Sequence, residues 1–144
     1  MDRRDLVLAI LGAADGAPYS PAQLQKAVFL VDRNLPGVVS EGPKFDFSPY
    51  DYGPFDRAVY GEAEQLSLAG LAEVRQSGNS RYRSYAITEN GKDRASAVLD
   101  QLNGATADYI RRVSAWVRSL DFATLVKSIY NEYPEMRANS IFVG

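Results

Sequence analysis

Two groups of side chains in this sequence have the types and the spacing to act on another molecule. The first is aromatic: FDFSPYDYGPF, Phe45 to Phe55, puts five of the chain's sixteen aromatic residues within eleven positions. Tyrosines suit a surface that is dry at one end and wet at the other, so Tyr50, Tyr52 and Phe55 are candidates for a groove that receives a partner. The same density also suits a plainer role, in which the aromatics are core residues that hold a long connection in place. The second group is basic. Arg75, Arg81 and Arg83 lie on or beside a run of strand and turn formers, and Lys92 and Arg94 follow. Such a cluster can contact phosphate or a minor groove, and its plainer reading is a solvated hairpin with ordinary surface arginines.

Covalent and metal chemistry is where the sequence is most restrictive. The 144 residues contain no histidine and no cysteine. That removes the commonest general base, the commonest metal ligand and every thiolate nucleophile. Ser-His-Asp and Cys-His catalysis, Cys/His zinc sites and disulfides are therefore excluded. Carboxylate or lysine chemistry stays open, yet no carboxylate pair or single lysine stands apart from the scattered charges, and no phosphate-binding glycine loop occurs. The expectation is a chain that acts by binding, not as an enzyme, with no cofactor or metal.

These side chains must be positioned by a domain of ordinary composition, 46% hydrophobic and 24% charged. The length suits one domain with a real core. The longest apolar runs, such as Leu6 to Leu11, are far too short to span a bilayer, and Asp2 and Asp5 flank Arg3 and Arg4 where a secretory signal would need an unbroken positive start. A cytoplasmic protein without a membrane segment is expected. The net charge is −2, but residues 1–70 carry six basic and ten acidic side chains (−4), and residues 71–144 carry ten and eight (+2). A face for polyanions would have to come from the second half.

The periodicity predicts a first helix from Asp5 to Ala14, with Leu6 and Ile10 on its buried face. Ser20-Pro21-Ala22-Gln23 then has the form of a capping box with proline at the first helical position, and Leu24, Ala27, Val28 and Val31 give the second helix its stripe. About twenty residues follow. A structureless loop of that length is uncommon in a compact domain, so the aromatic segment should be packed. Phe45 and Phe47 alternate as in a short strand, and Pro54 is placed to open a third helix carrying Phe55, Val59, Ala63 and Leu66. Leu71 to Gln76 and Tyr82 to Ile87 read as two strands around a tip near Gly78-Asn79. Thr88 caps a fourth helix, with Ala95, Val98, Leu99 and Leu102, that Asn103-Gly104 ends. Thr106 should start a fifth with Tyr109, Val113, Trp116, Val117 and Leu120 inward, and Asp121 a sixth with Phe122, Leu125, Val126, Ile129 and Tyr133. Ile141 to Val143 return apolar residues that should pack.

The order helix, helix, helix, hairpin, helix resembles a winged-helix domain. Leu66 to Gly91, with LSLAGLAEVRQ, SGNSRYRSYAIT and TENG, is similar to the third helix, wing and following helix of many winged-helix regulators. Leu24, Gln25 and Lys26 on the second helix, followed by Tyr52-Gly53-Pro54 ahead of the third, resemble the Panacea group of bacterial antitoxin-related domains, over roughly residues 5–102. The resemblance implies an antitoxin-like or adaptor role towards a protein partner. A DNA-binding regulator using a basic wing is the alternative. Against it, a helix-turn-helix joins its helices by three or four residues, and the segment Pro54 to Ala69 carries Asp56, Glu62 and Glu64 against Arg57 alone. The expected architecture is α+β: a winged-helix-like core over residues 1–104 with one two-stranded antiparallel hairpin, and a two-helix extension over 105–144 that packs on the core or forms a homodimer.

Overall fold

Helix starts follow the capping chemistry closely. In the computed structural model, which describes residues 1–76 and 83–143, Asp2 and Asp5 form a capping box that opens α1 (Arg3–Ala13) two residues before the position read from the sequence. Ser20 and Gln23 form the expected box on α2 (Pro21–Asn34), and Thr88 accepts from the Gly91 amide to start α4 (Glu89–Gln101). Helix α4 stops just ahead of Asn103-Gly104, as expected, and Asn103 has a second role: its side chain accepts from Thr106 N and caps α5, which begins two residues before the expected Thr106 (Gly104–Ser119). Asp121 caps α6 (Phe122–Glu132), and a short 3-10 turn, Pro134–Arg137, follows.

The architecture is mixed α+β, a helical domain with a hairpin. The hairpin pairs β3 (Ala72–Gln76) with β4 (Arg83–Ile87) in antiparallel register, Ala72 opposite Ile87 and Gln76 opposite Arg83. Its expected tip at Gly78-Asn79 lies outside the described residues. A second hairpin, not foreseen, pairs β1 (Ser48–Tyr50) with β2 (Gly53–Phe55). Phe45 and Phe47 precede it in irregular chain instead of forming a strand. The third helix, α3 (Arg57–Leu68), therefore starts after Pro54 and Phe55, not with them. Asp56 is its N-cap, accepting from Ala58 N at 2.9 Å and also from Asp46 N at 2.7 Å. A carboxylate that satisfies two otherwise unpaired amides is a better start than a proline, which only lacks a donor.

The core centres on α1. Leu6 through Leu11 are all buried, not one face of them, because α2, α3, α4, α5 and β4 surround the helix. A helix apolar on every side belongs inside. The closest approach is to α4, where a Cβ on Gly12 would lie 2.3 Å from Ala95 Cβ. Between α1 and α2, Tyr19 exchanges backbone hydrogen bonds with Tyr85 of β4 at 2.8 and 3.0 Å, adding a one-residue bridge to the hairpin. Its hydroxyl donates to the Ile10 carbonyl and meets Ser114 Oγ at 2.5 Å.

Helices α5 and α6 pack on α1 and α2 of the same chain. The inward face of α5 is Ala107, Ile110, Val113, Ser114 and Val117. The expected stripe is thus rotated by about one position: Trp116 is 40% exposed, and Tyr109 is half-buried with its hydroxyl on Asn34. Phe122, also expected inside, is 46% exposed, because it precedes the turn of α6 that meets the core. Among the described residues no helix is long and apolar enough to cross a membrane.

Candidate functional site

The eleven-residue aromatic stretch divides in two. Phe45 is buried and Phe47 packs edge-on against Phe29 of α2 at 5.4 Å, so the first part is core. From Tyr50 onward the rings turn to solvent. Tyr50 is 52% and Tyr52 40% exposed, with Tyr50 stacked on Phe55 at 5.0 Å and Tyr52 edge-on to Phe122 of α6 at 5.0 Å. Phe55 in turn meets Tyr60 of α3 at 5.9 Å.

These rings line a cavity of about 800 Å³ whose other walls are the first turns of α2 and of α6. Three of the candidates read from the sequence, Tyr50, Tyr52 and Phe55, are thereby brought together. The hairpin β1–β2 that carries them is held from both sides. On the inside, the buried Gln25 of α2 donates to the Asp56 carbonyl at 2.9 Å and accepts from Asp56 N at 3.1 Å. On the outside, the C-terminal segment grips the turn: Asn139 Nδ2 donates to the Pro49 carbonyl at 3.1 Å and Ile141 N to the Asp51 carbonyl at 2.9 Å. Ser140 Oγ also donates to Asp51 O, and receives the Tyr130 hydroxyl at 2.6 Å. Of the apolar tail only Phe142 is half-buried, beside Phe122 and Tyr130; Ile141 and Val143 are exposed, since the tail docks through its polar atoms.

Lys26 is the functional candidate that the sequence reading missed. It lies on the cavity wall at 4% exposure, and burial alone pulls its ammonium down to about 8. Among the described residues it donates no hydrogen bond and joins no ion pair. Gly53 packs beside it, and the requirement for glycine there is the backbone conformation, since an added Cβ would make only ordinary van der Waals contacts. That residue sits at φ +108, and a Cβ there would stand 3.7 Å from Lys26 Nζ and 3.4 Å from the Tyr130 ring. The buried stripe read from the sequence, Leu24, Ala27, Val28 and Val31, leaves Lys26 out, whereas tertiary packing buries every residue from Leu24 through Val31.

The basic residues do not converge in this way. Arg75 pairs with Glu73 at 3.0 Å, Arg83 with Glu64 of α3 at 3.4 Å, and Lys92 with Glu89 at 2.9 Å and Asp15 at 3.5 Å. Arg94 is exposed on α4. Arg81 lies outside the described residues. The carboxylates that match these cations reduce the local positive potential that a phosphate backbone would need. On α3, Glu62 is itself engaged by both Arg3 and Arg4 at 3.2 Å.

The described residues contain no cluster of three or more acidic side chains able to hold a metal ion. What the geometry defines is a helical α+β chain with an aromatic, lysine-bearing cavity between two helix starts. Comparison with protein-family models finds no match, and comparison with curated proteins finds none either.

Proposed function

We propose that the chain is a binding protein in an antitoxin-like or adaptor role, and that a segment of a protein partner seats in the Tyr50–Tyr52–Phe55 cavity. The observation that carries this reading is the cavity itself: exposed tyrosines on a hairpin fixed by Gln25 behind and by the C-terminal segment in front. Exposed rings on a rigid frame lose little entropy on docking and supply most of the energy of a small interface. Two parts of the resemblance to Panacea domains, the Gln25-Lys26 pair and the Tyr52-Gly53-Pro54 turn, also face each other across this wall. That contact supports the reading and gives it a physical reason. The alternative, a winged-helix regulator reading DNA through the β3–β4 hairpin, has its described cations largely matched by acids.

The test is site-specific photocrosslinking in the native host, with the crosslinker at Tyr52 in one variant and at Arg83 in another. A protein adduct from position 52, with affinity falling by about 2 kcal/mol or more in Tyr52→Ala, is the expected result. Adducts from position 83 alone, together with salt-sensitive retention on DNA, would replace this reading with the regulator.

A further inference from the structure

Of the two buried polar side chains on this wall, Gln25 is satisfied at both ends of its amide and Lys26 is not. An unpaired buried charge is costly, and a bound counter-ion removes that cost. No fully enclosed side-chain nitrogen or oxygen among the described residues lacks a partner, so the lysine ammonium keeps its contact with solvent, and it does so at the cavity wall. Two further features carry the same sign. The first turns of α2, at Ser20 to Gln23, and of α6, at Asp121 and Phe122, both border the cavity, and helix starts carry the positive end of the backbone dipole. Two carboxylates also lie on the wall. Asp121 is engaged as the cap of α6, accepting from Thr124 N at 2.8 Å, and neither it nor Asp51 pairs with the lysine.

Resting on the cavity as a partner site, we infer that it selects a carboxylate carried on an aromatic or apolar body. The Lys26 ammonium faces the carboxylate, and Tyr50, Tyr52 and Phe55 face the body. One unpaired ammonium matches one negative charge; a phosphate dianion would leave a surplus charge in an apolar site near Asp51 and Asp121. The volume of about 800 Å³ falls in the range of roughly 300 to 1,000 Å³ typical of small-molecule pockets. It therefore suits either the C-terminal residues of a polypeptide or a free aryl acid, which share this chemistry.

Calorimetric titration of the full chain at neutral pH separates them, using phenylacetate, phenylacetamide, acetyl-glycyl-phenylalanine and its C-terminal amide. At least one acid should bind about tenfold or more tighter than its amide. Lys26→Met should bring that acid down to the level of the amide, with circular dichroism and thermal midpoint showing an intact fold, while Lys26→Arg retains part of the preference. Tighter binding of the peptide acid names a protein terminus as the source. Binding of phenylacetate alone keeps the inference and overturns the protein-partner reading. Equal binding of acids and amides, no binding of any probe, or an acid preference that survives Lys26→Met overturns the inference, and the Tyr52 crosslinks then judge the partner reading by themselves.

Discussion

Tyr19 shows how much one side chain can carry. Its backbone extends the β3–β4 hairpin and its hydroxyl joins Ile10 of α1 to Ser114 of α5. Removing the hydroxyl in Tyr19→Phe takes the donor from the buried Ile10 carbonyl and leaves Ser114 with Arg118 Nε alone, which should cost about 1 to 3 kcal/mol in denaturant unfolding. Trp116→Ala is expected to do less, about 1 kcal/mol, because the indole is 40% exposed. Ile110→Ala on the neighbouring face should cost about 2 to 5 kcal/mol, and the reverse order would show that α5 is rotated from its described position. Ring count and helical period point to Trp116 in the sequence. The true inward face includes Ser114, a polar residue that period counting passes over and that is held by Tyr19, 95 positions away, and by Arg118 one turn on in α5.

Two helix starts made by a side chain bonding its own helix, those of α2 and α4, were readable from sequence, whereas α1 and α5, capped by Asp2 and Asn103, begin two residues ahead of their expected starts. Ser20-Gln23 and Thr88 needed no tertiary partner to be recognised, and both are where the residues place them. The β1–β2 hairpin was not readable, since three-residue strands with Pro49 and Pro54 facing each other have no alternating pattern and exist because Gln25 and the C-terminal segment hold them. Asp56 lies at the junction: its position after Pro54 suggests an acid inside the first turn, whereas its carboxylate both caps α3 and fixes Asp46 N. Asp56→Ala should therefore cost about 1 to 2 kcal/mol, at the upper end for a cap, and should weaken any ligand of the cavity, whereas Thr88→Ala on α4 should lower stability alone. Comparing unfolding midpoints and probe affinity for the two variants checks this.

Across the whole molecule, the buried ionisable groups set a distinctive response to alkali. Lys26 titrates at about 8 in the folded chain and near 10.4 when unfolded, so between those values the unfolded chain holds the proton more tightly and stability rises with pH. The rise is of the order of 3 kcal/mol, because each tenfold difference in proton affinity between the two states is worth about 1.4 kcal/mol. Above about pH 10 the sign reverses. Unfolded tyrosines then ionise, while burial holds Tyr19 up to about 12 and raises Tyr60 as well, so the folded state keeps protons that the unfolded state loses. Chemical denaturation across this range should give a maximum near pH 10, and Lys26→Met should flatten the ascending limb without moving the descending one. A last consequence belongs to the clasp of the C-terminal segment on the Pro49–Asp51 turn, which bridges 90 positions of sequence. In a genetic screen, frameshifts downstream of codon 138 would leave α1 to α6 intact and yet map to the same phenotype as lesions in the codons for Tyr50 and Tyr52.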